Sequence, residues 1–294
     1  MANLLLNIIK QAEQDKKAVG HFNVANFEMV KAVTESAEDK KTAVIIGTSE
    51  GERSYLGVNH IRALIDSYNQ ERKSSLGGKD FLFLNADHTY DLEKIRIAAE
   101  AGYDMVIFDG AALPLEENVA KTKKAVEIAK SINPDILVEG ELGYIGQSSK
   151  LLDKAPEGAA IDSASMPTGE QALEFVKATG IDLLAPAVGN IHGMFKNAPN
   201  PNLNISRISE IKEAVGIPLV LHGGSGIRDD DFKKAIQAGI SVVHISTEMR
   251  LAWRKSLAEK LSGNPEELAP YRIGQPVVSA VKQVVTNRLS VFGW

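Results

Sequence analysis

Six histidines and no cysteine are the first chemical constraint in this sequence. A transition metal would have to be held by imidazole and carboxylate, because thiolate sites and disulfides are excluded. His88, His192 and His222 each follow a short apolar run, in NADHTYD, VGNIHG and LHGGSG. Three imidazoles that leave coordination positions open make a catalytic zinc site. Asp87, next to His88, offers a carboxylate for general acid–base work. Asp109 follows the fourth apolar run, and VEGELG adds Glu139 and Glu141. These acids could serve a second metal position or orient the histidines, and Glu139 is expected to be a solvated loop acid more than Glu141 is. Gly223, Gly224, Ser225 and Gly226 have the make-up of a phosphate cradle, in which backbone N–H groups approach an anion. Lys196, four residues past His192, could add positive charge.

Such residues need a scaffold that brings distant segments together. Eight apolar runs recur at intervals of about thirty residues, the length of a strand–helix unit. They are Val19 to Val24, Ala43 to Thr48, Phe81 to Ala86, Met105 to Phe108, Ile136 to Glu139, Leu183 to Val188, Pro218 to Leu221 and Val242 to Ile245. Continuous apolar runs suit parallel strands covered on both faces. Helices between them are punctuated by Asp91, Thr168 and Asp229 at their starts and by Gly102, Gly180 and Gly239 at their ends. This pattern predicts an α/β fold, a single (β/α)8 TIM barrel over residues 1–294, with its chemistry at the C-terminal ends of the strands. Five histidines, His21 and His244 included, fall at or just past such ends, and only His60 lies elsewhere. The irregular stretch 144–166 is expected to be a mobile loop at the barrel mouth, and the C-terminal segment to be helical.

The charge balance, 33 Lys plus Arg against 38 Asp plus Glu, gives −5 and argues against a nucleic-acid partner. No apolar run nears the roughly 20 residues that span a bilayer. With no basic leader or small-residue cleavage site, a cytoplasmic protein is expected.

Taken in order, AVGHFNVANFE, IIGTSEG, NADHTYD, MVIFDGAALPLEENV, VEGELG, AVGNIHGMFK, LVLHGGSG, STEMRLAWR and VFGW resemble the class II, metal-dependent ketose-bisphosphate aldolases. That resemblance implies zinc on His88, His192 and His222, with Asp87 as acid–base on the C4 hydroxyl and Asp109 and Glu141 at a second or alternate metal position. It implies that Gly193, Gly223 to Ser225 and the segment from His244 through Ser246 to Thr247 bind the dihydroxyacetone-phosphate half, with Asn23 and Ser49 near it. Arg250 resembles an arginine that meets the distal phosphate. The implied activity is reversible cleavage of fructose 1,6-bisphosphate, or of tagatose 1,6-bisphosphate, to dihydroxyacetone phosphate and glyceraldehyde 3-phosphate, within glycolysis or related carbohydrate metabolism. Members are homodimers or homotetramers, often with Na+ or K+ near the phosphate.

The sequence departs from the family in two places. Gln147 and Ser148 stand where acids commonly follow the loop glycines, so the loop acid is expected at Asp153, Glu157 or Asp162, with Glu157 preferred. His244 replaces an asparagine that contacts the enediolate, and Ser246 replaces the acid of the fructose pattern. A sugar-phosphate-binding barrel without turnover is the rival from another class; a Schiff-base aldolase would need a lysine on a barrel strand.

Overall fold

The computed structural model describes residues 3–72, 81–147 and 149–294. In chain order the elements are α1 (Leu4–Gln14), β1 (Val19–Asn23), α2 (Phe27–Lys40), β2 (Val44–Thr48), α3 (Glu50–Leu56), α4 (Val58–Arg72), β3 (Leu82–Thr89), α5 (Leu92–Glu100), β4 (Met105–Phe108), α6 (Leu115–Ile132) and β5 (Leu137–Leu142). They continue with β6 (Leu151–Leu152), α7 (Gly169–Thr179), β7 (Leu183–Pro186), β8 (Met194–Phe195), α8 (Ile205–Val215), β9 (Leu219–Leu221), α9 (Asp229–Ala238), β10 (Ile240–Ile245), α10 (Thr247–Gly263) and α11 (Pro270–Val291). The strands β1-β10-β9-β7-β5-β4-β3-β2 close a parallel barrel, and β6 and β8 form a separate two-stranded ladder. This is the (β/α)8 barrel that the spacing of the apolar runs predicts.

Cap chemistry explains the helix boundaries. Asp91 and Thr168 accept hydrogen bonds from the first turns of α5 and α7, and Gly180 ends α7 in the left-handed region at φ 73°. The α9 start differs slightly from expectation: Arg228 is the capping position and Asp229 is the first helical residue. Three acids in that first turn suit the positive end of the helix dipole.

The floor of the barrel is apolar. Val19, Ile45, Phe83, Leu137, Val220 and Val242 meet there, and Leu5, Ile9 and Ala12 of α1 close it from below. The segment that reads LLLNIIK in the sequence is therefore a plug helix with one buried face. Side chains alternate across a strand, so two residues further along the same inward face becomes polar: Val19 gives way to His21 and Asn23, Phe83 to Asn85 and Asp87, Leu137 to Glu139 and Glu141. The seam between β1 and β10 is reinforced from outside by α11. Phe292 is fully buried, and its carbonyl accepts from Ala18 N–H at 3.1 Å. Trp294 Nε1 donates to the Ala18 carbonyl at 2.7 Å, and Lys17 lies over the indole ring.

Candidate active site and metal centre

Asp87 and His88 are neighbours in sequence, so a regular strand would aim them at opposite faces. The β3–β4 register shifts between Ala86 and Thr89, and His88 adopts a positive φ of 42°. A bulge of this kind re-aims a side chain, and here both residues end at the barrel mouth. The strained backbone is held from behind by Arg53. Its buried guanidinium donates to the carbonyls of Thr48 and Asp87 and to Thr89 Oγ1.

Three imidazoles converge beside them. Ring centroids are 4.7 Å apart for His88 and His192, 5.0 Å for His88 and His222, and 5.9 Å for His192 and His222. One donor atom from each of them and one from Glu141 lie within 4.8 Å of one another. His88 Nδ1 donates to Asp109 Oδ2 at 2.9 Å, and His222 Nε2 donates to Glu139 Oε1 at 2.7 Å. Each carboxylate orients its ring and turns the other ring nitrogen toward the cluster, which is how metal-ligating histidines are oriented. His192 Nε2, His222 Nδ1 and Glu141 Oε1 are buried atoms with no hydrogen-bond partner in the protein. A nitrogen- and oxygen-ligated divalent cation fits this donor set. Asp109 falls outside the clusters of ligand atoms among the described residues, and its contact is with the back of His88.

Glu139 corrects the expectation of a solvated loop acid: it is fully buried beneath His222. The fifth strand runs to Leu142, three residues beyond the apolar run, and carries both glutamates inside the barrel.

The electrostatics follow from burying acids and imidazoles together. Burial raises Glu141, Asp109 beside it adds to the effect, and the carboxyl is pushed up to about 7. Burial works against ionising Asp87, yet His88 and His244 overcome it and hold Asp87 well below the usual carboxylate range. That keeps it ionised, the form in which a carboxylate can accept a proton. His192 and His244 are pulled well below the ordinary imidazole value, first by burial and then by neighbouring histidines. Burial opposes a proton on His88, but Asp87, Glu141 and Asp109 win and raise it well above that value. The same acidic field attracts a divalent cation.

His21 is lowered to about 4, chiefly by burial. Between that value and the unfolded value of 6.5, the unfolded chain binds more protons than the folded one. Stability therefore rises with pH across this window and is lost as pH falls through it. The shift corresponds to a loss on the order of 3 kcal/mol by pH 4. Urea midpoints of zinc-free wild type and His21→Asn, measured from pH 7 to 4, are expected to show the steeper decline in wild type. Parallel curves would contradict this.

A cavity of about 330 Å³ opens above the cluster. Asn23, Ser49, Asp87, His88, His192, His222, Gly223, His244, Ser246 and Arg250 line it, as do Glu50, Tyr90, Gln147 and Ser149. Asn23 Nδ2 donates to Asp87 Oδ2 at 2.8 Å and is 3.2 Å from Glu52 Oε2. Ser225 Oγ accepts from the N–H groups of Ser246 and Glu248 at 3.3 and 3.2 Å, so its hydroxyl sits at the N-terminus of α10, where an anion is favoured. Gly223 has φ 63°, and a Cβ there would fall 2.2 Å from the Ile191 carbonyl oxygen, so the close approach of these two loops requires glycine. Gly193, Gly224, Ser225 and Thr247 are buried just behind the lining, with Asn200 donating to the carbonyls of Gly193 and Ser225.

Other expected residues stand apart. Lys196 is exposed, and its Nζ lies 2.9 Å from Asp153. Glu157 and Asp162 are exposed, and neither they nor Asp153 line the cavity. Arg250 reaches the rim, with Nη2 donating to Glu52 Oε1 at 2.6 Å. Glu52, Arg53, Asn85 and Asn200 were not singled out by sequence reasoning. For Asn85 the signal was present: it shares the inward face of its strand with Asp87.

A parallel barrel with imidazoles and carboxylates clustered at its C-terminal mouth has the arrangement of a metal-dependent active site. The description "Fructose-bisphosphate aldolase class-II" matches residues 3–294, and the chain belongs to that family. It is 34% identical over 290 residues to a probable fructose-bisphosphate aldolase of Bacillus subtilis, covering 98% of this chain and 96% of that one. It is 34% identical over 291 residues to the fructose-bisphosphate aldolase of Geobacillus stearothermophilus, covering 97% and 95%. Among solved structures, the YdjI aldolase of Escherichia coli K12 superposes with TM-score 0.78 at 29% identity, over 100% of this chain and 98% of that one. A putative fructose-1,6-biphosphate aldolase of Coccidioides immitis gives 0.83 at 27% identity, over 99% and 96%. No helix among the described residues is long and apolar enough to cross a membrane.

Proposed function

We propose that the protein cleaves a ketose 1,6-bisphosphate, with fructose 1,6-bisphosphate first, to dihydroxyacetone phosphate and glyceraldehyde 3-phosphate, reversibly and with zinc. The observation that carries this is the convergence of Asp87 with three imidazoles in one cavity. His88, His192 and His222 would hold the ion, which supplies Lewis-acid stabilisation of the negative charge that develops when the bond breaks. Asp87 takes the proton from the C4 hydroxyl, and the C3–C4 bond electrons pass to the dihydroxyacetone-phosphate fragment. Asn23 orients the carboxylate by a hydrogen bond, and His244 Nδ1 lies 3.5 Å from its other oxygen. Ser225, Gly223 and the N–H groups opening α10 favour the phosphate at that end. The C3 carbon must then gain a proton. Asp153, Glu157 and Asp162 all stand outside the cavity, so delivery of an acid from segment 144–166 requires that segment to close over the mouth, with Glu157 the preferred donor.

Family membership supports the finer parts of the reading. These are a second divalent position at Asp109 and Glu141, Na+ or K+ near the phosphate, Arg250 toward the distal phosphate, a single-domain chain forming a homodimer or homotetramer, and a cytoplasmic setting. A Schiff-base route is disfavoured because the eight barrel strands carry no lysine. Steady-state rates of the zinc-loaded protein on fructose and tagatose 1,6-bisphosphates test the proposal. Cleavage of at least one is expected, and borohydride should trap nothing. A lysine adduct, or metal and phosphate binding without turnover of either sugar, would overturn it.

A further inference from the structure

We infer that His21 is a positioning residue of this site: it forms a flat shelf under His244 and thereby fixes the ring edge that meets Asp87. The inference rests on the aldol reading above. His21 and His244 are register partners across the β1–β10 seam. Their rings are stacked with centroids 3.4 Å apart and planes inclined by 1°. On its other side His244 meets His222, with centroids 3.9 Å apart. A ring held between two others cannot tilt without collision. In this position its Nδ1 is 3.5 Å from Asp87 Oδ1, while Asn23 holds the other carboxylate oxygen at 2.8 Å.

His21 does not line the cavity and is fully buried. Its Nε2 lies 3.1 Å from Asn85 Nδ2. A Cβ on Gly47 would fall 2.0 Å from the His21 ring, so the bare backbone of β2 is what admits the imidazole. Gly47, His21, His244 and Asp87 thus form a chain of contacts from the neighbouring strand to the acid–base group. The rival reading, a metal held jointly by His21, His244 and Asp87, fails on geometry. Imidazole lone pairs lie in the ring plane, and two parallel rings cannot aim theirs at a single ion.

The test compares zinc-loaded wild type, His21→Ala, His244→Asn and the double variant, with kcat, KM, zinc content and melting temperature for each. His21→Ala is expected to lower kcat roughly tenfold with KM within about twofold, and zinc content unchanged. Because His21 acts through His244, the double variant should lose no more than His244→Asn alone, a non-additive result. Gly47→Ala crowds the same ring and should reproduce the kcat loss without changing His21, which also covers a His21→Ala that does not fold. Multiplying effects in the double variant, or a kcat loss that tracks zinc loss, would overturn the inference. A substrate-free readout separates it from the functional reading: the His244 ring resonances of the zinc-loaded protein should move in His21→Ala or Gly47→Ala. If wild type cleaves no ketose bisphosphate, the functional proposal fails, while unmoved His244 resonances overturn the shelf.

Discussion

Asp87→Ala is expected to lower kcat for ketose-bisphosphate cleavage by about 10²–10⁴, the range for losing a positioned general base. The carboxylate is 1% exposed and ionised, and its oxygens face Asn23 and His244. No other acid on the cavity wall can replace it, because Glu50 is committed to Lys94 and to Tyr90 N–H. The proposed metal ligands are other residues, so zinc content should stay near that of wild type. Phosphate affinity should also persist, since the N–H groups around Ser225 are distant in sequence and unaltered. The measurement is kcat and KM alongside metal analysis. Wild-type turnover in the variant would remove Asp87 from the mechanism, and loss of zinc in parallel with activity would recast it as a ligand.

Removing the metal is expected to have an effect of comparable size. Lewis-acid stabilisation of developing charge contributes several kcal/mol, and each 1.36 kcal/mol is about tenfold in rate. Chelator treatment should therefore cut the rate by roughly three orders of magnitude or more, with recovery on adding zinc. His192→Ala should mimic the chelator and resist reconstitution, because it removes the imidazole whose Nε2 lacks any protein partner. Metal-free protein should remain folded, since the apolar floor and the plug helix lie below the ligands. Circular dichroism with and without chelator checks that separation. Full activity after verified zinc removal would overturn the metal-dependent reading.

Much of the scaffold was legible because it rests on local rules. Apolar runs, a capping Asp91 or Thr168 and a terminating Gly180 are decided by neighbours in sequence, and all eight barrel strands fall where the runs do. Strand ends were less legible where the residues are polar. β3 and β5 continue through Asp87, His88 and Glu141, where composition reads as loop. Only burial inside a closed barrel, with partners such as Arg53 and His222, makes strand the better state there. The misreading of Glu139 has that origin. Counting every second residue along VGHFN, LFLNADHT, LVEGEL and ISVVHI would have placed His21, Asn85, Glu139 and His244 on one inward face. The bulge at His88 could not be read so simply, because its left-handed backbone is imposed by contacts from another helix. The orienting role of Asp109 likewise depends on a distance that spacing does not encode.

The fastening of Phe292 and Trp294 onto Ala18 bears on how the chain is made. β1 leaves the ribosome well before its partner β10 and the α11 cover. The barrel cannot close until they emerge, so the β10-facing edge of β1 waits unpaired while β2 to β9 are made. Such edges invite misassembly. Trp294 locks this late seam, with Lys40 Nζ donating to its carbonyl at 3.1 Å, so substituting Trp294 should slow closure of the barrel more than it disturbs the earlier strands.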